Sequence, residues 1–572
     1  VSVLDRRIGV LFVAFVALLA IALLRAAYLG TVRAPALRRA ADTQQVRTVV
    51  VPAPRGTITD RNGVELAVSE SADDVVADPY LIRDPQRVAA ALAPLLGKPF
   101  GTVLADVTRP HTGFVYLAHF LPGQQAAAIG HLRINGAPIN GITLIPETRR
   151  VYPRSWEASQ LLGFVGAEGQ GLWGLEAYYN RVLSGHNGIR RVVSDAIGQP
   201  ISVQEVQPTV PGKTLRLTID AALQNYVEQV LAQVGAQYSP KGATAIVSDP
   251  QTGAILALAN WPRFNANDPF AAPESSWEDQ AVGFSYEPGS TFKAITVAGA
   301  LQDGLITPQT MFDIPPTLRV ADRTIHDAEA HGYESLSVAN ILKVSSNIGA
   351  VEIGMRLGAQ RFDYWVHRFG FGSPTGVDLP GEQRGIVLHW WQYSGSSMAN
   401  LPFGQGESVT PMQMIAAYDA IANGGILRPP HVVASIGDRA LPLPRGRRII
   451  SSTVAAELRS MLRGVFADGG TASGAAIDGW DMAGKTGTAN IAVNGSYSSS
   501  EFIASFIGMV PTNHPRLVVA VMVDQPQGSI YGGSVAAPAF QRIVGWAVPY
   551  FGINPCPPGS QCHTAPVANT GA

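Results

Sequence analysis

The chain has 572 residues and a mass of 60.5 kDa, long enough for two or three domains with separate cores. Hydrophobic residues make up 46% of it, which excludes an intrinsically disordered chain. Its formal net charge is -1, and no long Lys/Arg block or aromatic RNA-binding signature is present, so nucleic acid is not an expected partner.

From Ile8 to Leu24 no side chain is charged or strongly polar, and with Arg25 snorkelling the apolar run continues to Leu29. At the helical rise this run spans about 33 Å, enough to cross a bilayer. Residues 8–29 are therefore expected to form a transmembrane helix, with 1–7 as a cytoplasmic tip. A cleaved signal peptide ending at Ala34-Pro35-Ala36 is the competing reading, but the run is too long and that site lies too far beyond it. Flanking charge opposes an external bulk, because Arg6 and Arg7 precede the span while Arg25, Arg33, Arg38 and Arg39 follow it. Large domains translocate regardless of such counts, and the cysteines favour the outside. Cys556 and Cys562, the only two, sit in a Pro/Gly-rich tail (552–572) and read as a small disulfide loop formed outside the cytoplasm. His563 completes only three potential donors there, so no metal is expected.

After the span, Arg33 to about Val50 reads as a polar, partly helical stalk. The segment that follows, to about Gln207, shows no sustained helix or repeat period; it mixes β-rich runs such as "GITLIP" with turn signals such as "INGAP". Residues 30–207 are read as a stalk and an elongated α+β pedestal. "PTVPG" at Pro208–Gly212 marks a boundary, after which Leu223, Val227, Val230, Leu231 and Val234 line one face of a helix. Two apolar runs around Asp249-Pro250-Gln251-Thr252-Gly253 predict a hairpin, and two more flank Pro511–Pro515 before a closing helix. Residues 213–551 are thus expected to form one domain. Its mainly antiparallel sheet is completed by the two ends of the domain and packed between helices, with a helical middle.

Three short motifs fall in that domain. In "YEPGSTFKAITVAGAL" the apolar spacing after Gly289 predicts a buried helix with Ser290 at or near its first residue and Lys293 one turn on. Ser345-Ser346-Asn347 separates a helix capped at Ser337 from another helix. Lys485-Thr486-Gly487-Thr488 precedes the last strand pair, in a stretch suited to an edge strand where Gly487 would let a ligand approach the backbone. Each alone is ordinary; Ser-x-x-Lys, Ser-x-Asn and Lys-Thr-Gly in that order within one domain are specific.

On these residues the domain resembles the penicillin-recognising serine acyl-transferases, which include penicillin-binding proteins and serine β-lactamases. "RGTITDRNG" from Arg55, "YPRSWEASQLLGFVG" from Tyr152 and "GLWGLEAYYNRVLSG" from Gly171 are similar to pedestal motifs of class B penicillin-binding proteins. "DLPGE" from Asp378, "FGQGESVTPMQM" from Phe403 and "YGGSVAAPAF" from Tyr531 are most similar to the septal, cell-division branch. The resemblance implies an α+β fold: a transpeptidase domain of the serine β-lactamase type, a dimerisation-type pedestal before it, and one membrane helix. It implies a D,D-transpeptidase that cross-links peptidoglycan stem peptides ending in D-Ala-D-Ala at the septum, acylated by β-lactams and needing no cofactor. No glycosyltransferase module is appended, so a separate membrane polymerase of the SEDS type and other division proteins are implied partners.

The chemistry follows from the residues. A lysine of ordinary pKa is no base at pH 7, and lowering Lys293 by about 3 units requires about 4 kcal/mol of differential environment, which burial and a second cation, Lys485, can supply. Lys293 would then take the Ser290 proton, Ser345 relay it to the leaving amine, and Asn347 hold Lys293 and the substrate amide. Lys485 would attract a substrate carboxylate, with Thr486 and Thr488 beside it, and the Ser290 and Thr488 N–H groups would hold the oxyanion. A carboxypeptidase or β-lactamase would use the same motifs but has no need of the anchor and pedestal; a penicillin sensor would need a cytoplasmic module; an elongation-type enzyme is the nearest rival. "HDAEAH", with His326, Asp327, Glu329 and His331, has metal-like residue types but reads as a solvated surface loop.

Overall fold

A computed structural model of the chain describes residues 3–36, 46–194, 200–493 and 496–556. The helix Val3–Thr31 contains the apolar run, and from Arg6 to Thr31 it is long and apolar enough to cross a bilayer, with Leu11 and Leu24 among its exposed side chains. Of the expected stalk, residues 37–45 lie outside the described residues, as does Cys562 of the expected disulfide. Val46–Val51 is a strand, not helical: its β-branched run "VRTVVV" pairs antiparallel with Gly188–Ser194, Val46 opposite Val193.

The chain forms two compact units that alternate along the sequence. The first takes residues 1–54, 70–149 and 185–212; the second takes 55–69, 150–184 and 213–572. The boundary expected at 208–212 falls at the last of these crossings. Segments 55–69 and 150–184, assigned to the pedestal from sequence, pack in the second unit because Leu66, Tyr152, Leu161 and Phe164 join its core beside Leu215 and Phe264.

In the first unit, Val88, Ala89, Leu92, Val103 and Val107 pack with Val75, Leu117 and Leu121. They include the helices Pro85–Leu96 and Phe100–Val107, where no sustained helix was expected. The first is bounded by ordinary signals: Asp84 accepts from the Arg87 N–H, Pro85 opens the helix, and Gly97 closes it at φ 62°.

The second unit is built on a five-stranded antiparallel sheet. In chain order its helices and strands include α1 (Ala221–Tyr238), β1 (Gly242–Asp249), β2 (Ala254–Trp261), α2 (Lys293–Gln302), α3 (Val338–Val344), α4 (Asn347–Leu357), α5 (Ala359–Arg368), α6 (Pro411–Ala422), β3 (Ala483–Val493), β4 (Ser496–Val510), β5 (Leu517–Asp524) and α7 (Gly532–Tyr550). The strand order is β2-β1-β5-β4-β3, so the two ends of the domain meet at β1 and β5, Ala243 opposite Val523. "LVVAVMVD" in β5 is buried throughout because both faces are covered. Val519, Val521 and Val523 pack with Leu223, Val227, Phe540 and Ile543 of α1 and α7, while Val518, Ala520 and Met522 belong to a second core with Ile295 of α2 and Ile415 of α6.

A buried ion cluster fixes the two inserted segments. Glu176, 0% exposed, receives Arg55 Nη2 at 2.7 Å on one oxygen and Arg150 Nε at 2.6 Å on the other. Arg55 also bonds the Gly169 carbonyl at 2.8 Å and the Asn180 Oδ1 at 2.9 Å. This accounts physically for the "RGTITDRNG" and "GLWGLEAYYN" runs. Removing the shared carboxylate strands two guanidinium groups, so Glu176→Ala should destabilise the second unit by about 3–5 kcal/mol, read from the urea midpoint of its unfolding. A cost below about 1 kcal/mol would mean that the cluster does not hold these segments.

Candidate active site

Ser290 sits in the 3-10 turn Gly289–Phe292, which leads directly into α2 at Lys293. The helix expected to begin near Ser290 therefore begins as this tighter turn. Tyr418 of α6 holds the turn from behind, donating to the Thr291 carbonyl at 2.7 Å. Gly289 has φ 54°, donates its N–H to the Gly404 carbonyl at 2.9 Å, and leaves a Cβ only 3.0 Å from the Thr488 carbonyl. A Cβ on Gly404 would stand 2.3 Å from the Gly289 carbonyl, so the "FGQGE" run packs directly beneath the serine. Ser290 is half-buried, and among the described residues its hydroxyl has no hydrogen-bond partner.

Lys293 is 0% exposed. Its Nζ donates to the Ser345 carbonyl at 2.5 Å, to Asn347 Oδ1 at 2.7 Å and to Ser345 Oγ at 3.2 Å. Three acceptors match the three donors of an ammonium. In the neutral amine one contact must reverse, and the Ser345 hydroxyl is the only one of the three that can donate, which makes Ser345 and Lys293 proton-exchange partners. Burial pushes Lys293 down to about 7, opposed by the negative charge of Asp327.

Ser345 ends α3 in the left-handed region, φ 63°, a strained conformation for a serine and one that recurs at functional sites. Ser346 caps α4, its Oγ accepting from the Gly349 N–H at 2.9 Å, and Asn347 opens that helix. Asp327 holds the whole junction. It accepts from Ser346 Oγ at 2.7 Å, from the Ile348 N–H at 3.0 Å and from the Asn347 N–H, while Asn347 Nδ2 donates to the His326 carbonyl at 2.9 Å. His331 Nε2 lies 3.1 Å from the same carboxylate. The "HDAEAH" run is therefore not simply a solvated surface, as the sequence reading had it: its aspartate organises the Ser-x-Asn motif and supplies the counter-charge to Lys293. Nothing in its local sequence distinguishes Asp327 from the acidic residues around it.

The edge strand is β3. Lys485 is 0% exposed, its Nζ reaching only the Thr486 carbonyl at 3.2 Å and Thr486 Oγ1 at 3.4 Å. Burial, then repulsion from Lys293, pushes it well below its ordinary value. Burial thus lowers both lysines, but Lys293 also has the charge of Asp327 to hold its proton, whereas among the described residues Lys485 has no carboxylate hydrogen-bonded to it. Thr486 is buried and shares a 2.8 Å hydrogen bond with Thr471, whereas Thr488 is half-buried and accepts from the Gly532 N–H at 3.1 Å. Gly487 was expected to leave room for a ligand. A Cβ there would instead stand 2.3 Å from Ser505 Oγ of β4 and 3.1 Å from the Pro288 carbonyl, so glycine is required by the neighbouring strand as well as by the serine turn packing on β3. The structure joins Lys293, Ser345 and Asn347 by hydrogen bonds, places Ser290 one turn before Lys293 and Lys485 near enough to feel its charge, and sets Thr488 beside the turn.

Residues 243–545 match the family described as the penicillin binding protein transpeptidase domain, and 50–217 match the penicillin-binding protein dimerisation domain. A probable peptidoglycan D,D-transpeptidase PenA of Neisseria meningitidis is 31% identical over 96% of this chain and 94% of its own length. The peptidoglycan D,D-transpeptidase FtsI of Escherichia coli is 32% identical over 94% and 91%. The crystal structure of penicillin binding protein 3 from Mycobacterium tuberculosis complexed with aztreonam superimposes with a TM-score of 0.70, at 29% identity, covering 89% of this chain and 98% of that one.

The pairing of Asp327 with Lys293 is directly measurable. The carboxylate raises the Lys293 pKa against the effect of burial, so its removal lowers that pKa. In wild type, the ε-carbon resonance of isotopically labelled Lys293 should titrate near pH 7; in Asp327→Asn, which keeps an oxygen for the helix N–H groups, the midpoint should move to lower pH. An unchanged or raised midpoint would show that Asp327 acts only as a cap.

Proposed function

The chain belongs to the class B penicillin-binding proteins and is a serine-type peptidoglycan D,D-transpeptidase; on that premise we propose that Ser290 carries the acyl group and that the enzyme works in septal wall synthesis. The observation that supports the first part is the fully buried Lys293, one turn from Ser290, held by Ser345 and Asn347 with its pKa pushed to about 7. At that pKa about half of it is free base at neutral pH.

Ser290 Oγ attacks the carbonyl of the penultimate D-Ala, and its proton passes to Lys293. The oxyanion is met by the N–H groups of Ser290 and Thr488, each donor worth about 3 kcal/mol to the transition state. As the tetrahedral intermediate collapses, the C–N bond breaks. The proton returns through Ser345 to the departing D-Ala amine, leaving an ester on Ser290. The amine of a second stem peptide then attacks that ester, giving up its proton by the reverse route.

Lys485 gains a role from its low affinity for protons. A substrate carboxylate beside it raises its pKa, so binding recruits a proton to Lys485, and the new cation favours the neutral form of Lys293. The base is thereby strengthened when substrate is present. Thr488 lies where it can accompany the carboxylate; Thr486 positions Lys485, and Gly487 lets the strand close on the serine turn.

For topology, the reading is a single-pass anchor with the bulk of the chain outside, where D-Ala-D-Ala stems are found. The septal assignment is supported by the flavour of "DLPGE", "FGQGESVTPMQM" and "YGGSVAAPAF", and it carries with it a separate membrane glycosyltransferase as partner. β-Lactams, which mimic the acyl-D-Ala-D-Ala end, acylate the same serine.

Fluorescent penicillin should label wild type and leave Ser290→Ala unlabelled, with the mass adduct on the peptide containing Ser290; an adduct on Ser345 or Ser346 would overturn the assignment. The acylation rate should fall as pH drops below about 7, because protonated Lys293 cannot accept the serine proton. A rate unchanged down to pH 5 would remove Lys293 as the base. For the cellular role, depletion should give filaments with blocked septa, and rounded cells would assign the enzyme to elongation instead.

A further inference from the structure

Asp363 and His367 lie one turn apart on α5, and the segment before the 3-10 turn Trp390–Gln392 brings His389 to the same point. His367 Nδ1 stands 2.7 Å and His389 Nδ1 3.6 Å from a single oxygen, Asp363 Oδ1. That oxygen is shut off from solvent yet receives no hydrogen bond of acceptable geometry. His367 Nδ1 is directed at the Asp363 backbone carbonyl instead, 3.0 Å away. A buried carboxylate oxygen without a donor is costly, and here two imidazole nitrogens converge on it. None of the three residues bonds to the reactive cluster around Ser290.

We propose that Asp363, His367 and His389 form a zinc site. The three donor atoms lie within 4.8 Å of one another, and the observed 2.7 Å and 3.6 Å bracket the roughly 3.3 Å between donors that a tetrahedral zinc at about 2.0–2.1 Å requires. Two imidazoles and one carboxylate suit a borderline first-row ion, whereas calcium and magnesium take oxygen donors. In this structure the His389 ring stacks on that of His367, 4.5 Å away at 13°, and on that of Trp391, 4.3 Å away, so the two imidazoles must turn out of the stack for both Nδ1 lone pairs to meet one ion. Coordination requires each imidazole to present its Nδ1 lone pair to the ion with the ring proton on Nε2, and the contact of His367 with the Asp363 carbonyl gives way to it. His389 is 45% exposed on its side chain, which leaves the fourth position to water. The ion would cross-link α5 to the segment that runs on toward Gly404, the residue packed beneath Ser290.

The test uses untagged full-length protein in detergent, freed of metal with a chelator. Calorimetric titration with zinc should give one equivalent, and cobalt should give the visible absorption of a tetrahedral site. His389→Ala should bind zinc at least about 100-fold more weakly, since loss of even an outer hydrogen-bond partner costs 10–100-fold. Zinc should raise the Tm of wild type and not of His389→Ala, while the metal-free proteins melt together; should His389→Ala fail to fold, Asp363→Asn takes its place. No saturable zinc binding by wild type, or equal binding by the variant, would overturn the site.

Discussion

Lys293 must lose water completely and still be able to hold and release a proton at neutral pH. Its fall from 10.5 to about 7 corresponds to about 5 kcal/mol of preference for the neutral form, and much of the second unit serves that one condition. Three acceptors must be delivered to a single nitrogen, and two of them come from Ser345, a residue in a strained left-handed conformation. That strain persists because the helices on either side are anchored independently: α3 by Ser337, which accepts from the Asn340 N–H, and α4 by Ser346 and Asp327.

The same condition sets the packing around the nucleophile. Ser290 can stay half-buried while Lys293 is sealed only if the chain approaches the turn closely from two sides. Gly404 provides one approach, since a Cβ there would stand 2.3 Å from the Gly289 carbonyl, and Gly487 the other, since a Cβ there would stand 3.0 Å from Thr291 Cγ2 and 3.1 Å from the Pro288 carbonyl. The turn is thus pressed between the "FGQGE" segment and the edge strand β3. An edge strand is ordinarily a hazard because its backbone groups are unpaired. Here that edge stands beside the reactive serine, where an extended peptide can add to it.

How far the sequence reached depended on whether the cause was local. The hairpin β1–β2, the buried run of β5 and the apolar helix at the N-terminus follow from periodicity and length within a few residues, and three short motifs pointed to the side chains that the fold gathers around Lys293. The helix Pro85–Leu96 was also written locally, in Asp84, Pro85 and Gly97, but Pro94 inside "RVAAALAPLL" reads as a breaker and hid it. Other features are not local at all. Glu176 joins Arg55 and Arg150 across long stretches of chain, so neither the interleaving of the two units nor the purpose of the "RGTITDRNG" run could be read from either segment alone. Gly487 was read as leaving room for a ligand, but the groups that approach it are Ser505 of β4 and the serine turn, visible only once the strand is placed.

Asp327 and Lys485 show why charge assignment lagged behind residue identification. From sequence, burial and a second cation, Lys485, were expected to lower Lys293, and no carboxylate entered that reading. The fold adds one: Asp327 lies near Lys293, while among the described residues Lys485 meets a carbonyl and a hydroxyl. The counter-charge thus favours the proton on the lysine one turn from Ser290. A bound carboxylate supplies to Lys485 what Asp327 supplies to Lys293, and two cations then compete in one buried space. The lysine whose counter-charge is more distant from its ammonium gives way first. Asp327 reaches the Ser346 and Asn347 groups by hydrogen bonds but touches Lys293 only through its field, whereas a carboxylate docked on β3 would contact Lys485 itself. Under the proposed mechanism substrate binding and base activation are one electrostatic event, which requires that Asp327 act on Lys293 through its field and not through a hydrogen bond.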